Sequence, residues 1–141
     1  GIASGGGGTK LVAVTLLTSL DPANLPPGFA RPFDQDAVIA GLLRMSLDSG
    51  AHGIVCAAPD LERVRAMHGA PFYAVTPGIR PAGGATQDQA RVATITQAVR
   101  LGSSLLVLGR AITAASDPVA ALAAARAERD AAVAGLTAAG A

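Results

Sequence analysis

Apolar residues recur along this chain in two alternating patterns. Short continuous runs, rich in β-branched residues, predict strands over Leu11–Leu17, Gly53–Ala57, Phe72–Thr76 and Leu105–Gly109. Continuous rather than alternating runs are expected of strands buried on both faces, as in a parallel sheet covered by helices. Between them the period changes to three and four. From Asp36 to Asp48, the residues Val38, Ile39, Leu42, Leu43, Ser46 and Leu47 form one stripe, and Gly50 follows as a helix stop. Pro59–Met67 places Leu61, Val64 and Met67 on one side, and Ala93–Arg100 forms a third helix ended by Gly102. Ser116-Asp117-Pro118 joins a capping side chain to a proline suited to the first turn, opening an Ala-rich helix to about Leu136.

The order is β-α-β-α-β-α-β-α, an α/β chain. An internal echo agrees with it: Gly50 to Ala57 aligns with Gly102 to Gly109, each a helix stop, a polar turn and a buried strand. Repeated βα units of this kind build either a small open sheet or half of an eight-stranded barrel. The pattern alone leaves both open. At 141 residues the chain suffices for one domain with a single core and not for two domains. Residues 1–9 read as a loop at a junction with something upstream, and residues 10–141 as the folded unit.

Composition narrows the function classes. Half the residues are apolar, so the chain is expected to pack. The net charge is +1 without a basic block, which argues against nucleic acid as a partner. No run approaches the roughly 18 apolar residues of a membrane-spanning helix, and Gly1–Gly8 lacks the layout of a secretory signal. The single cysteine, Cys56, lies in an apolar run and reads as a packing residue, consistent with a cytoplasmic setting. His52 and His68 match neither a metal spacing nor a triad and read as surface residues at helix ends. Arg126, Glu128, Arg129 and Asp130 read as a solvated helix face.

Candidate chemistry gathers just after the strands, where parallel α/β folds place their sites. Thr18-Ser19 follows the first strand, Thr76-Pro77-Gly78-Ile79-Arg80-Pro81 the third, and Gly109-Arg110 the fourth. Each arginine follows a buried strand through a glycine that lets the backbone approach a ligand. A guanidinium offers phosphate oxygens a planar fork of donors, so Arg80 and Arg110 are candidate phosphate ligands. The alternative is a surface arginine paired with a helix carboxylate. The stretch Pro77–Gln89 exceeds the roughly 2–6 residues usual for such loops. It is either a lid over a ligand or a plain excursion.

In combination these segments are specific. Val14-Thr15-Leu16-Leu17-Thr18-Ser19, Val75-Thr76-Pro77-Gly78-Ile79-Arg80-Pro81, Asp88-Gln89-Ala90-Arg91 and Val107-Leu108-Gly109-Arg110-Ala111-Ile112-Thr113 resemble, in order and spacing, the orotidine 5'-monophosphate decarboxylase family. The resemblance runs from about Lys10 to Ala125. It implies a (β/α)8 TIM barrel, of which this chain supplies strands five to eight, and a homodimer with sites near the subunit interface. It implies conversion of orotidine 5'-monophosphate to UMP and CO2 without metal or organic cofactor. By the same resemblance, Thr18 and Ser19 contact the pyrimidine end, and Arg80 binds phosphate. Gln89 bridges the closed loop to the ligand, Gly109 and Arg110 complete the phosphate site, and Pro77 and Gly78 shape the loop.

The family's Asp-x-Lys-x-x-Asp array, whose lysine protonates the pyrimidine carbon, has no counterpart here. The one lysine, Lys10, precedes the first strand with no acid beside it. The chain is therefore expected to hold no catalytic residue and to be inactive alone, its partner being the N-terminal half of the barrel. Two other readings stand beside this one: a non-catalytic phosphate-binding half-barrel module, and another phosphate-binding barrel decarboxylase, such as one acting on a sugar phosphate.

Overall fold

The computed structural model describes residues 8–17, 20, 23, 25, 27–28, 32–81 and 92–139. Thr18, Ser19 and Gln89 lie outside them. The main sheet consists of β1 (Val12–Val14), β2 (Gly53–Val55), β3 (Tyr73–Thr76) and β6 (Leu105–Leu106), all parallel and in that order. The connecting helices are α1 (Gln35–Asp48), α2 (Ala58–His68) and α3 (Ile95–Arg100), and α4 (Arg110–Thr113) and α5 (Pro118–Ala139) follow β6. Strand order follows chain order, with no reversal among the described residues. A doubly wound sheet reverses direction at its binding crevice. A sequential parallel arc is instead what a segment of a (β/α)8 barrel provides.

The helices begin and end where their side chains dictate. Asp34 accepts a bond from the Ala37 amide (3.0 Å) and starts α1. Asp117 accepts from the Ala120 amide (2.9 Å) and starts α5. Gly50 and Gly102 take φ of 86° and 84° as α1 and α3 end, a region open to glycine at little cost. The internal echo is geometric too: the Ala51 amide donates to the Ser46 carbonyl and the Ser103 amide to the Ala98 carbonyl, both at 3.0 Å.

The core on the helix-covered face falls into two adjoining clusters, with Leu101 packed against both. Ile54, Cys56 and Ala74 of the sheet side meet Ile39 and Leu43 of α1 and Leu61 and Val64 of α2. Beside it, Ile79, Ala93, Ile95, Ala98 and Ala125 join α3 to α5. The other sheet face departs from the expectation of burial on both sides. Val14, Val55, Val75 and Leu105 occupy one register row across all four strands. Val14 is 60% and Leu105 49% exposed, because no layer covers this face among the described residues. In a closed barrel that face is the interior.

Two short strands were not predicted. β4 (Ile79–Arg80) pairs in parallel with β5 (Ala93–Thr94), Arg80 facing Thr94 in register. They tie together the two ends of the long segment after β3, so that segment is not loop throughout. The strands are also shorter than the apolar runs: β1 covers three residues of Leu11–Leu17, although Thr15 still bonds the Val55 carbonyl through both its amide (3.1 Å) and its hydroxyl (2.8 Å).

Candidate functional site

The carboxyl ends of β3 and β6 lie side by side, and a cavity of about 240 Å³ opens there. From the β3 side it is lined by Pro77, Gly78, Ile79 and Arg80, and from the β6 side by Val107, Gly109, Arg110 and Ala111. Five residues singled out from sequence, separated by up to 33 positions, thus share one concavity. Their placement has a local cause. Gly78, at φ 77°, turns the chain out of β3 into β4, and pairing of β4 with β5 fixes the Arg80 backbone. The Nε of Arg80 is buried. Gly109 immediately precedes α4, and its carbonyl accepts the Ile112 and Thr113 amides at 2.9 and 3.1 Å, which places Arg110 at the rim.

Two arginines lining one small cavity, with a glycine close before each, bring to it a chemistry that could receive an anion such as phosphate. The predicted contacts Thr18, Ser19 and Gln89 fall outside the described residues. Among the described residues, no three His, Cys, Asp or Glu side chains gather where they could hold a metal ion, and no helix is long and apolar enough to cross a membrane.

A larger cavity, about 340 Å³, lies between α3, β6 and α5. Ile95, Val99, Leu106, Leu108, Leu122 and Val133 make it mainly apolar, although Arg126 and Arg129 reach its edge. It follows the sheet edge rather than the strand ends, and its chemistry is that of packing.

The opposite ends of the strands carry structural contacts. The Lys10 ammonium sits 5.3 Å from the centre of the Tyr73 ring, at the amino ends of β1 and β3 and away from the arginine cavity. Arg65 stacks 4.6 Å over Phe72 and donates to the Gly102 carbonyl at 2.6 Å. His52 is not at a helix end: it precedes β2, and its Nδ1 accepts the Leu11 amide at 3.0 Å. That bond places the proton of the neutral ring on Nε2. His68 does close α2, edge-on to Phe72 at 5.9 Å. Cys56 is buried in the first core.

Two acids escaped the sequence reading. Asp60 is 1% exposed in the first turn of α2, accepting from Gln35 Nε2 at 2.8 Å and from Arg63, which also pairs with Asp36. It joins the starts of α1 and α2 at the carboxyl side of the sheet. Its signal was an acid three residues into a helix that follows a buried strand. Glu128 does not belong to a solvated face. It is half-buried, and its Oε1 accepts both the amide and the hydroxyl of Thr96, each at 3.2 Å.

Comparison with known proteins agrees with this geometry. Residues 2–125 match the model of the orotidine 5'-phosphate decarboxylase / HUMPS family. The orotidine 5'-phosphate decarboxylase of Anaeromyxobacter sp. (strain K) is 47% identical over 117 residues, 82% of this chain and 51% of that protein. That of Thermobifida fusca (strain YX) is 48% identical over 120 residues, covering 85% and 51%. The crystal structure of the orotidine 5'-phosphate decarboxylase from Lactobacillus acidophilus superposes with a TM-score of 0.70 at 36% identity, over 89% of this chain and 51% of that one. The chain thus spans about half the length of the curated relatives it matches, and its parallel sheet is about half of their TIM barrel. A sequential parallel sheet, paired arginines at its carboxyl end and a match over most of the chain agree: this chain belongs to the orotidine 5'-phosphate decarboxylase / HUMPS family.

Proposed function

We propose that this chain is the phosphate- and pyrimidine-gripping half, strands five to eight, of an orotidine 5'-phosphate decarboxylase. The observation that carries this reading is the convergence of Arg80 and Arg110, with Pro77, Gly78 and Gly109, on one cavity at the strand ends. The 5'-phosphate of orotidine 5'-monophosphate sits between the two guanidinium groups. Thr18 and Ser19 meet the pyrimidine, and Gln89 contacts the ligand.

The bond from C6 to the carboxylate then breaks, CO2 leaves, and the electron pair stays on C6. An ammonium proton from a lysine of the N-terminal half quenches it. The place of Lys10 at the amino ends of the strands argues against it in that role. Binding of the remote phosphate contributes by being converted into stabilisation at the reacting carbon. The partner half covers the open sheet face, and the complete barrel works as a cytoplasmic homodimer. The exposed row from Val14 to Leu105 argues against a self-sufficient binding module, which would close its own core.

The test is decarboxylation of orotidine 5'-monophosphate, followed by absorbance. It compares the 141-residue chain with a chimera carrying the N-terminal half of the Thermobifida fusca relative. The chimera is expected to turn over and the chain alone is not. A folded, monodisperse chimera without activity overturns the assigned reaction. Turnover by the chain alone overturns the division of labour.

A further inference from the structure

Arg80 and Arg110 stand on different βα connections, so something must hold those connections at a fixed spacing. In the core that joins α3 to α5, the buried members are mostly alanines (Ala58, Ala93, Ala98 and Ala125, beside Ile79 and Ile95), and the larger Val99, Leu106, Leu108 and Ile112 are only partly buried around them. Alanine buries little apolar surface, and so contributes little resistance to sliding. A polar contact carries more weight in such a place.

That contact is Glu128. From α5 its Oε1 takes the amide and the hydroxyl of Thr96, in the first turn of α3. An amide in that turn has no acceptor within its own helix. Thr94, two residues earlier, caps α3 in a reciprocal pair with Gln97, its hydroxyl accepting the Gln97 amide at 3.1 Å and its amide donating to Gln97 Oε1 at 2.9 Å. Thr94 is also the register partner of Arg80 in the β4–β5 pair. At the other end, Arg110 opens α4, which leads directly into α5. A continuous path therefore runs from Arg80 through Thr94 and Thr96 to Glu128, and back along α5 to Arg110.

We infer that Glu128 is a positioning residue: it locks α3 to α5 and thereby sets the spacing of the two arginines around the phosphate. The inference rests on the phosphate-site reading above.

The experiment measures UMP binding to the chimera with the Thermobifida fusca N-terminal half by calorimetry, and amide hydrogen exchange at Ala93, whose amide donates to the Gly78 carbonyl at 3.4 Å. In Glu128→Ala, a change that keeps α5 a good helix, UMP is expected to bind about 3- to 10-fold more weakly, the worth of one such hydrogen-bonded contact. Exchange at Ala93 is expected to accelerate. Glu128→Gln, which keeps an acceptor oxygen, restores both. Val64→Ala, a cavity in the other core, lowers the melting temperature and leaves UMP affinity unchanged. If Glu128→Ala binds UMP as the parent does, or Val64→Ala weakens binding equally, Glu128 is not a positioning residue. If the folded, monodisperse parent chimera fails to bind UMP at all, the phosphate-site reading falls, and the role of Glu128 with it.

Discussion

At the scale of single residues, the two arginines differ in environment. Arg80 is partly buried and tied to a strand, whereas Arg110 is exposed at the rim. A charge-assisted hydrogen bond contributes about 1.5–3 kcal/mol. Arg80→Ala and Arg110→Ala are therefore each expected to weaken UMP binding by about 10- to 100-fold, read by calorimetry. Arg80→Lys is expected to recover little, since a lysine keeps the charge and loses the planar fork. Equal UMP affinity in parent and Arg80→Ala would remove Arg80 from the site. Asp60 gives a contrasting case. Truncation to alanine removes a buried carboxylate and leaves the part-buried amide of Gln35 without its acceptor, so Asp60→Ala is expected to lose about 1–3 kcal/mol in urea denaturation. The arginines were legible in the sequence because each follows a strand and a glycine. Asp60 and Glu128 were not, because their partners Gln35 and Thr96 stand 25 and 32 residues away, and no local pattern records such a pairing.

At the scale of elements, the main strands and the longer helices were legible because each carries enough residues to show a period. β4 and β5 have two residues each and α4 has four, too few for any period to register. Strand lengths were overread because an apolar run marks burial, whereas a strand ends where its ladder ends. Glycines test how tightly the elements are built. Gly53 lies in the central strand β2, in register with Val12 and Tyr73, and a Cβ there would overlap the Tyr73 carbonyl. Gly53→Ala is expected to destabilise by about 1–3 kcal/mol or more through overpacking against backbone that cannot yield. Gly135, exposed in α5, has open space where a Cβ would go. Gly135→Ala is expected to stabilise by about 0.5–1 kcal/mol through helix propensity. Thermal unfolding of the two variants distinguishes them by sign, and the same sign in both would contradict the packing described for β2.

At the scale of the whole molecule, the β-α order was legible, but the choice between open sheet and barrel arc was not, because both use the same local units. Strand order decides it, and strand order is a long-range property. The arc leaves one face open, and the row Val14, Val55, Val75, Leu105 makes that face testable. In the 141-residue chain Val14 is largely exposed, so Val14→Lys places an ammonium in water and is expected to shift stability by no more than about 0.5 kcal/mol. In the chimera with an N-terminal half, the same position faces the barrel interior. An unpaired charge there is strongly disfavoured, so the variant is expected to lose several kcal/mol in urea denaturation and with it the decarboxylase activity. The discriminating quantity is the difference between the two contexts. A large difference identifies the open face as the surface on which the other half closes, while an equally small effect in both would mean that the completed protein leaves Val14 in water.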